Sequence, residues 1–437
     1  MNTRPAAVER SSSLRAGVLW AGTGNAIYLA CQYGMLMAIA KLGTQADVGV
    51  FALAFAVTAP IIIMSQMQLR QLHVTDPPGG AGFGDYLALR LVATALALLA
   101  VGVVVTVAGY DRRMVAVTAA VALAKAFESV SDIAHGTLQR DERMDVVAKS
   151  LALKGICSLT VLVGLLAVAQ DLTIAVAAMA AVWGLVLIGY DLPAARRQSS
   201  NAEAMLVWKP VLARRLARTA LPLAVAAGLV SLSGNLPRYF LDSFGGKDAV
   251  ALFAAAATPL SLLGVANMAV SQATLPRAAQ YFQSGSNAAL IRLTGSIVAI
   301  QVCAAALVAI VFAVAGESIM VLLFAREYAN AGPIAALMAA GVALGGLGAY
   351  GSTILSAGRQ FRLQLWNIAI VVAAQLPICY VLIRSAGVWG AGWSEVIRYG
   401  VSTAFLAVGG YIVHKRTIET WARAAGSGGY PASLIEA

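Results

Sequence analysis

Apolar residues occur in this chain as long, nearly uninterrupted stretches rather than in the alternating pattern of a soluble protein. Each stretch holds roughly 20 residues, the length that a helix needs to cross the hydrocarbon core of a bilayer. Because lipid offers no partner for backbone polar groups, closely spaced stretches of this kind predict a bundle of transmembrane helices. The twelve predicted spans are 16–40, 48–68, 86–109, 114–134, 148–169, 171–190, 219–240, 250–272, 291–314, 333–357, 362–384 and 388–412.

The composition agrees with a membrane protein. Hydrophobic residues make up 60% of the chain and charged residues only 12%, whereas about a quarter of the residues of a soluble domain are charged. The first apolar stretch has no clear small-residue cleavage site, so we expect a retained span rather than a cleaved signal peptide. The four cysteines are isolated in separate spans without metal-ligand spacing, and we expect no metal site and no cofactor.

The net charge of +11 is distributed as in a membrane protein rather than a nucleic-acid-binding one. Most Lys and Arg residues fall in alternate connections between the predicted spans. The positive-inside rule therefore places both termini in the cytoplasm. The richest basic stretch, 191–218, follows the sixth span, and we interpret it as a linker near anionic lipid, with a dedicated binding site as the alternative.

This linker divides the chain into similar halves. Four pairs of short segments recur in the same order: Gly24-Asn25 and Gly234-Asn235, Gly43/Val48/Phe51 and Gly245/Val250/Phe253, Gln66–Arg70 and Gln272–Arg277, Arg90-Leu91 and Arg292-Leu293. Each half has an even number of spans, so the halves are expected to be related by an axis along the membrane normal. The predicted fold is all-α, with about twelve transmembrane helices in two six-helix lobes related by a pseudo-two-fold axis. The predicted divisions are 1–190 (N-terminal lobe), 191–218 (basic cytoplasmic linker), 219–412 (C-terminal lobe) and 413–437 (cytoplasmic tail).

Repeats of this kind favour transport, because transporters bind their substrates between repeats. A membrane enzyme acting on lipid-linked sugars would need a catalytic constellation on a sizeable loop, and the short predicted outer loops carry none. A channel is disfavoured because no segment resembles a selectivity filter or a ring of charge. We therefore expect a carrier and not an enzyme.

Four segments resemble the polysaccharide flippases of the MOP superfamily, the Wzx type. They are ADVGVFALAFAVTAP (46–60), QLR (68–70), FGDYLALRL (83–91) and GTLQRDERMDVVAKS (136–150). The resemblance implies a bacterial inner-membrane carrier that moves undecaprenyl-diphosphate-linked oligosaccharide to the periplasmic face, for O-antigen (lipopolysaccharide), capsule or exopolysaccharide. A polysaccharide polymerase and glycosyltransferases are candidate partners. The alternative within the same superfamily is a cation-coupled exporter of small amphipathic molecules.

Charges inside the predicted spans bear on this choice. A charge at the centre of a membrane helix is costly, so each one should have a partner or a function. Bases exceed acids, the sign that a diphosphate carrier needs, whereas an exporter of cations would be better served by an acidic cavity. The charges counted within the spans are Arg90, Lys125, Lys154, Arg238, Arg292 and Arg398 against Glu128, Asp132 and Glu395.

Several of these basic residues have a structural explanation beside a substrate-binding one. Arg90 and Arg292 lie about one turn from the predicted inner surface, where a long side chain reaches water, and Lys154 is similar. Arg238 has Asp242 one turn further on, which permits a local pair.

Lys125 and Arg398 are placed deeper and are the stronger candidates for substrate binding. Each has an acid three residues away, Glu128 or Glu395, so pairing between helices is the alternative. Neutral polar residues in the spans offer hydrogen bonds either to sugar hydroxyls or to neighbouring helices. These are Asn25, Gln32 and Asn235.

The segment 136–150 mixes basic and acidic residues, which is typical of a solvated, salt-bridged helix end. Its Arg140 and Arg143 are alternatively a rim that meets an arriving diphosphate, because guanidinium geometry suits phosphate oxygens. In the second half, Arg359 and Arg362 occupy the corresponding turn.

Lys125, Glu128, Asp132 and His135 fall within an arc of about 80° on a helix, and this stripe should face the bundle rather than lipid. Lys125 can pair with Glu128, which leaves Asp132 without an obvious basic partner. A buried carboxylate of that kind exchanges a proton readily, as a coupling site requires. The alternative is permanent neutralisation by His135 or by a base on another helix. The coupling candidates are Asp132, Glu128 and Glu395.

Overall fold

The computed structural model of the protein describes residues 6–76, 81–199, 205–206, 208–358 and 360–426, and all the secondary structure in this part of the chain is helical. The long helices correspond to the predicted spans. They are α1 (Ala6–Leu42), α2 (Gln45–Gln66), α4 (Phe83–Val107), α5 (Arg112–Arg140), α6 (Met144–Ala169), α7 (Leu172–Val186), α9 (Pro210–Gln283), α10 (Asn287–Leu323), α11 (Ala331–Ala357) and α12 (Phe361–Gly426). Shorter elements are α3 (Leu69–Thr75), a π-helical turn (Leu187–Asp191), α8 (Leu192–Gln198) and a 3-10 turn (Arg326–Tyr328).

Twelve helical segments of membrane-spanning length follow from these elements. Nine stretches in the described part of the chain are long and apolar enough to cross a membrane, and two of them cover 55 residues each. Those two contain a non-helical glycine, Gly246 in α9 and Gly387 in α12, which divides each into two segments. The 37-residue α1 is the twelfth, although its glycines and amides make it less apolar. The predicted all-α membrane fold is confirmed.

Polar side chains near the predicted span boundaries cap the N-termini of several helices. Thr44 and Asp47 form a capping box at the start of α2, and Asp111 accepts a hydrogen bond from the backbone N–H of Met114 at the start of α5. Asp171 accepts hydrogen bonds from two backbone N–H groups at the start of α7, those of Thr173 and Ile174. The Ile174 N–H contributes most to lowering the pKa of Asp171 below its usual range. Such caps satisfy the orphan donors of a helix N-terminus.

The chain forms two compact units, unit 1 (Met1–Ser231) and unit 2 (Leu232–Ala437). The division falls inside the predicted seventh span, and the predicted limits of the lobes stay a prediction. The first part of α9 belongs to unit 1 because Ala213 and Ala220 are buried in a cluster with Leu69 and Tyr86.

Unit 1 is built around α5, which packs against α2, α3, α4, α6, α7 and α8. Its largest fully buried side chains include Trp183, Tyr86 and, unexpectedly, Arg90 and Lys154. In unit 2, the backbones of α11 and α12 pack closely, so that a Cβ at Gly351 would overlap the carbonyl group of Leu406. Small residues that let helix backbones approach closely are typical of membrane interfaces.

Candidate functional site

The charged stripe on α5 faces neighbouring helices of unit 1, as the helical spacing predicts. Glu128 contacts α1, Asp132 contacts α3 and α4, and His135 contacts α6. Lys125, at the start of the stripe, lies over aromatic rings of α2 and α7. The stripe therefore organises three clusters of polar side chains inside unit 1.

The first cluster joins Lys125, Glu128 and Tyr28. The Lys125 ammonium donates a hydrogen bond to Oε2 of Glu128 at 2.7 Å, as predicted, and the Tyr28 hydroxyl donates to Oε1 at 2.5 Å. The ammonium also lies 5.2 Å from the ring centroids of both Phe55 and Trp183. Such an arrangement holds a cation by its carboxylate and by the negative faces of two rings.

The second cluster centres on Asp132, and the expectation that this residue lacks a basic partner is wrong. The guanidinium of Arg90 donates to Oδ2 of Asp132 at 3.1 Å, and that of Arg70 donates to Oδ1 at 3.2 Å. Arg90 also donates to the Ser129 hydroxyl at 3.1 Å, whereas Arg70 reaches the side-chain oxygen of Gln139. Two basic residues on other helices therefore pair with Asp132, which is the neutralisation considered as the alternative.

Arg90 does not reach water by its long side chain. Its exposed fraction is 0%, because the ion pair with Asp132 lies inside the helix bundle rather than at its end. Snorkelling is therefore the wrong explanation of Arg90.

The third cluster was not predicted. Lys154 donates to Oδ2 of Asp191 at 2.6 Å and to the Ser131 hydroxyl at 2.6 Å. Ser150 donates to Oδ1 of Asp191 at 2.5 Å, and Nε2 of His135 lies 3.4 Å from the same oxygen. Lys154 and Asp191 are 1% and 0% exposed, so Lys154 does not snorkel either.

Asp191 escaped prediction because it follows the last apolar residues of the sixth span and was assigned to the linker. The structure continues the helix through it as the π-helical turn Leu187–Asp191, which carries its carboxylate into the bundle. Asp191 is thus a fourth acid beside the three counted within the predicted spans, and its partner is Lys154. The sequence did contain an indication that Arg70 is important, because Arg70 is the last residue of the repeated segment Gln66–Arg70.

In unit 2, a chain of polar groups links α9 and α12. Arg398 donates through both Nε and Nη2 to Oε2 of Glu395, at 2.9 and 2.5 Å, as their spacing predicts. The other carboxylate oxygen accepts from Gln375 at 3.2 Å, and the Ser233 hydroxyl donates to Gln375 at 2.6 Å. The guanidinium of Arg398 also lies 4.1 Å from the ring centroid of Tyr399.

Arg238 is half-buried and does not form the expected pair with Asp242. Its Nη1 donates to the Asn235 side chain at 2.9 Å and to the Gly234 carbonyl at 3.1 Å, and its guanidinium lies 5.4 Å from the ring centroid of Phe253. Asp242 instead accepts from Lys247 at 2.5 Å. Among the described residues, Arg238 forms no ion pair within 4 Å.

The remaining candidates are peripheral. Asn25 is exposed and donates to the carbonyl oxygen of Ala21 in its own helix, and Arg292 is exposed. Arg143 pairs with Asp145 at 3.0 Å, in agreement with a salt-bridged helix end. Arg140 is half-buried and Arg362 is exposed, while Arg359 lies outside the described residues.

Comparisons with known proteins identify the fold. No protein-family model matches the chain. The capsular polysaccharide biosynthesis protein CapF of Staphylococcus aureus is 23% identical over 369 residues, which cover 82% of this chain and 88% of CapF.

Two solved structures have the same fold at low sequence identity. A multidrug resistance MATE family transporter of the MOP superfamily, in its inward-facing conformation, matches with a TM-score of 0.71 and 14% identity over 92% of this chain and 99% of its own. A MOP superfamily transporter from Pyrococcus furiosus, described by the reverse polarity of its binding pocket, matches with a TM-score of 0.61 and 16% identity over 93% and 96%.

The protein is a multi-pass membrane protein, and its all-helical fold is like that of the solved MOP-superfamily transporters, which have twelve helices in two lobes. The structures that share this fold are transporters, not enzymes. In sequence, the chain is similar to a protein of polysaccharide biosynthesis.

Proposed function

We propose that the protein translocates undecaprenyl-diphosphate-linked oligosaccharide across the bacterial inner membrane by alternating access, for polysaccharide biosynthesis. The similarity to CapF carries this proposal, because it is a similarity of sequence along most of both chains. The likeness to multidrug transporters is one of fold at 14% identity, and one fold serves many substrates.

The chemistry of Arg238 supports an anionic substrate. A diphosphate headgroup carries about two negative charges and cannot cross hydrocarbon without cationic or polar partners. The hydrogen bonds of Arg238 go to neutral oxygens beside an aromatic ring, and Glu395, the acid that acts on Arg238 electrostatically, is paired with Arg398, so the Arg238 guanidinium has no ion pair to break before it binds a ligand. Arg398 uses two of its N–H groups to bind one oxygen of Glu395. It is a second guanidinium in the same unit that can contact an anionic substrate.

The remaining features of the proposal follow the charge pattern. Both termini lie in the cytoplasm, and the lipid carrier arrives from the cytoplasmic leaflet with its sugar already assembled by glycosyltransferases. A polysaccharide polymerase receives the product on the other face.

Transport assays in liposomes test this proposal. The purified protein should move fluorescent undecaprenyl-diphosphate oligosaccharide across the bilayer faster than protein-free liposomes do, and should leave a cationic dye on its original side. Arg238→Gln should slow this transport roughly tenfold, because a hydrogen bond to a charged group is lost. Arg238→Lys should retain more activity, since an ammonium also binds phosphate.

Arg292→Gln is the matched control, because it removes an exposed arginine of the same unit. Movement of the dye but not of the lipid-linked oligosaccharide would contradict the proposal. Equal effects of Arg238→Gln and Arg292→Gln would remove Arg238 from the substrate path.

A second candidate function is a cation-coupled exporter of small amphipathic molecules, which the solved MATE transporter favours. The same assay separates the two functions. The acids available for coupling already have fixed partners: two arginines hold Asp132, Lys125 holds Glu128 and Arg398 holds Glu395.

A further inference from the structure

A cavity of about 330 Å³ opens in unit 1 where α5 ends and α6 begins. Its walls come from the end of α5, the first turns of α6, the π-helical turn and α8. The volume lies within the range of about 300–1,000 Å³ that is usual for small-molecule sites. This cavity is separate from the three buried clusters around α5.

The lining of the cavity is basic. Arg143, Lys149 and Arg197 contribute positive charge and Asp145 contributes the opposing charge, which leaves a net charge of +2. Asp145 lies 3.0 Å from Arg143 and 3.8 Å from Lys149, and Arg197 forms no ion pair among the described residues. Tyr190 adds a phenolic hydroxyl to the wall.

The cavity also lies at the boundary between a polar and an apolar surface. Ile188, which directly precedes Gly189 of the wall, and Leu185, about one turn earlier, are 66% and 71% exposed, as expected of side chains that face acyl chains. Lys149 lies 5.7 Å from the ring centroid of Trp20, and tryptophan is enriched at the level of lipid headgroups. A ligand with a phosphate in the cavity would have its hydrocarbon part against the exposed leucine and isoleucine.

We propose that this cavity binds the phosphate-bearing headgroup of an anionic phospholipid such as phosphatidylglycerol. Basic residues at the level of the headgroups attract anionic lipids, and basic pockets between membrane helices bind their phosphates. Guanidinium groups suit this ligand because their donors match phosphate oxygens in pairs. The site goes beyond the proposed transport function and does not depend on its substrate.

Native mass spectrometry of the full-length protein in detergent tests the site. Titration with phosphatidylglycerol should show a bound lipid at concentrations where phosphatidylcholine is not retained. Arg197→Gln should weaken phosphatidylglycerol binding roughly fivefold, the effect expected of one basic residue near a charged headgroup. Arg112→Gln, which removes an exposed arginine at the opposite end of α5, should leave the affinity unchanged.

A variant that fills the cavity provides a second, independent test of the site. Gly189 lines the cavity and a Cβ there meets no atom within 4 Å, so Gly189→Phe adds bulk at the cavity wall where the backbone has room for a side chain. It should abolish the preference for phosphatidylglycerol. Gly164→Phe is the matched control, because Gly164 is equally open but lies in α6 outside the cavity lining.

Three results would overturn the proposal. They are equal retention of phosphatidylglycerol and phosphatidylcholine by the wild type, equal weakening by Arg197→Gln and Arg112→Gln, and displacement of the lipid by an equal concentration of soluble glycerol phosphate. The last result would assign the cavity to a free phosphate ester. If Gly189→Phe fails to fold, the arginine pair decides.

Discussion

Lys154 and Asp191 show how single residues determine the interior of unit 1. Both side chains are buried, and they meet at 2.6 Å. The loss of hydration when two charged groups are buried offsets much of their mutual attraction. Such a pair therefore contributes little to folding stability compared with apolar side chains of similar size. Removing only one partner is a different matter, because the other charge then stays buried without compensation.

A double-mutant comparison therefore has a defined expected outcome. Lys154→Met and Asp191→Leu should each destabilise the protein by about 3–5 kcal/mol, whereas the double variant should lose much less than their sum. His135 and Ser150, which also contact Asp191, lie 3.1 Å apart and can still hydrogen-bond to each other in the double variant. The melting temperature in detergent measures this effect.

Lys149→Met is the control for this comparison, since Lys149 lies on the same helix but its side chain is 57% exposed. It should shift stability by about 0.5 kcal/mol or less. Additive losses in the double variant would mean that the two buried charges do not depend on each other.

Among the elements, α9 and α12 are each divided by one glycine. Gly246 has φ 72° and ψ −171°, a conformation open almost only to glycine, and Gly387 has φ 54° and ψ −128°. Because a Cβ at either position would meet no atom within 4 Å, the backbone conformation alone requires glycine there. Each glycine thus lets one membrane segment end and the next begin without a loop.

Substitution at one of these breaks should separate backbone strain from packing. Gly246→Ala should destabilise the protein by about 1–3 kcal/mol, since alanine is strained at this φ and ψ. Gly295→Ala, at an equally open but helical position of α10, should be neutral or stabilising by about 0.5–1 kcal/mol. Melting temperatures of both variants test this difference, and equal shifts would contradict it.

The spans were predictable from sequence because hydrocarbon thickness fixes their length, and the pairs Lys125–Glu128 and Arg398–Glu395 were predictable because a helix brings residues three apart together. The pairs that cross between helices were not. Arg90 and Lys154 meet acids 42 and 37 positions away, and one sequence contains no information on which helices are neighbours. The π-helical turn also has no apolar signature that could have moved Asp191 into the bundle.

At the scale of the whole molecule, the predicted orientation makes the two ends of the helices chemically different. The cavity beside Arg143 and Arg197 lies at the end that the positive-inside rule places in the cytoplasm. The start of α5 at Arg112 lies at the opposite end, which is predicted to be periplasmic.

Labelling of single cysteines tests this topology. In a background lacking Cys31, Cys157, Cys303 and Cys379, an impermeant thiol reagent added to intact cells should label Arg112→Cys. It should label Ser284→Cys, in the turn between α9 and α10, only after the membrane is opened. Labelling of both positions from the same side would exclude the predicted orientation.

The order in which the chain is synthesised gives the α5 clusters different histories. Tyr28, Arg70 and Arg90 leave the ribosome before α5, so Glu128 and Asp132 enter the membrane with their partners already present. In the cluster around Asp191 the order is reversed, because Lys154 precedes its carboxylate partner by 37 residues and is synthesised before it. A nascent chain that stopped between the two would hold an ammonium without its counter-charge. Lys154 of α6 therefore gains its carboxylate partner only once α7 and the π-helical turn have been synthesised.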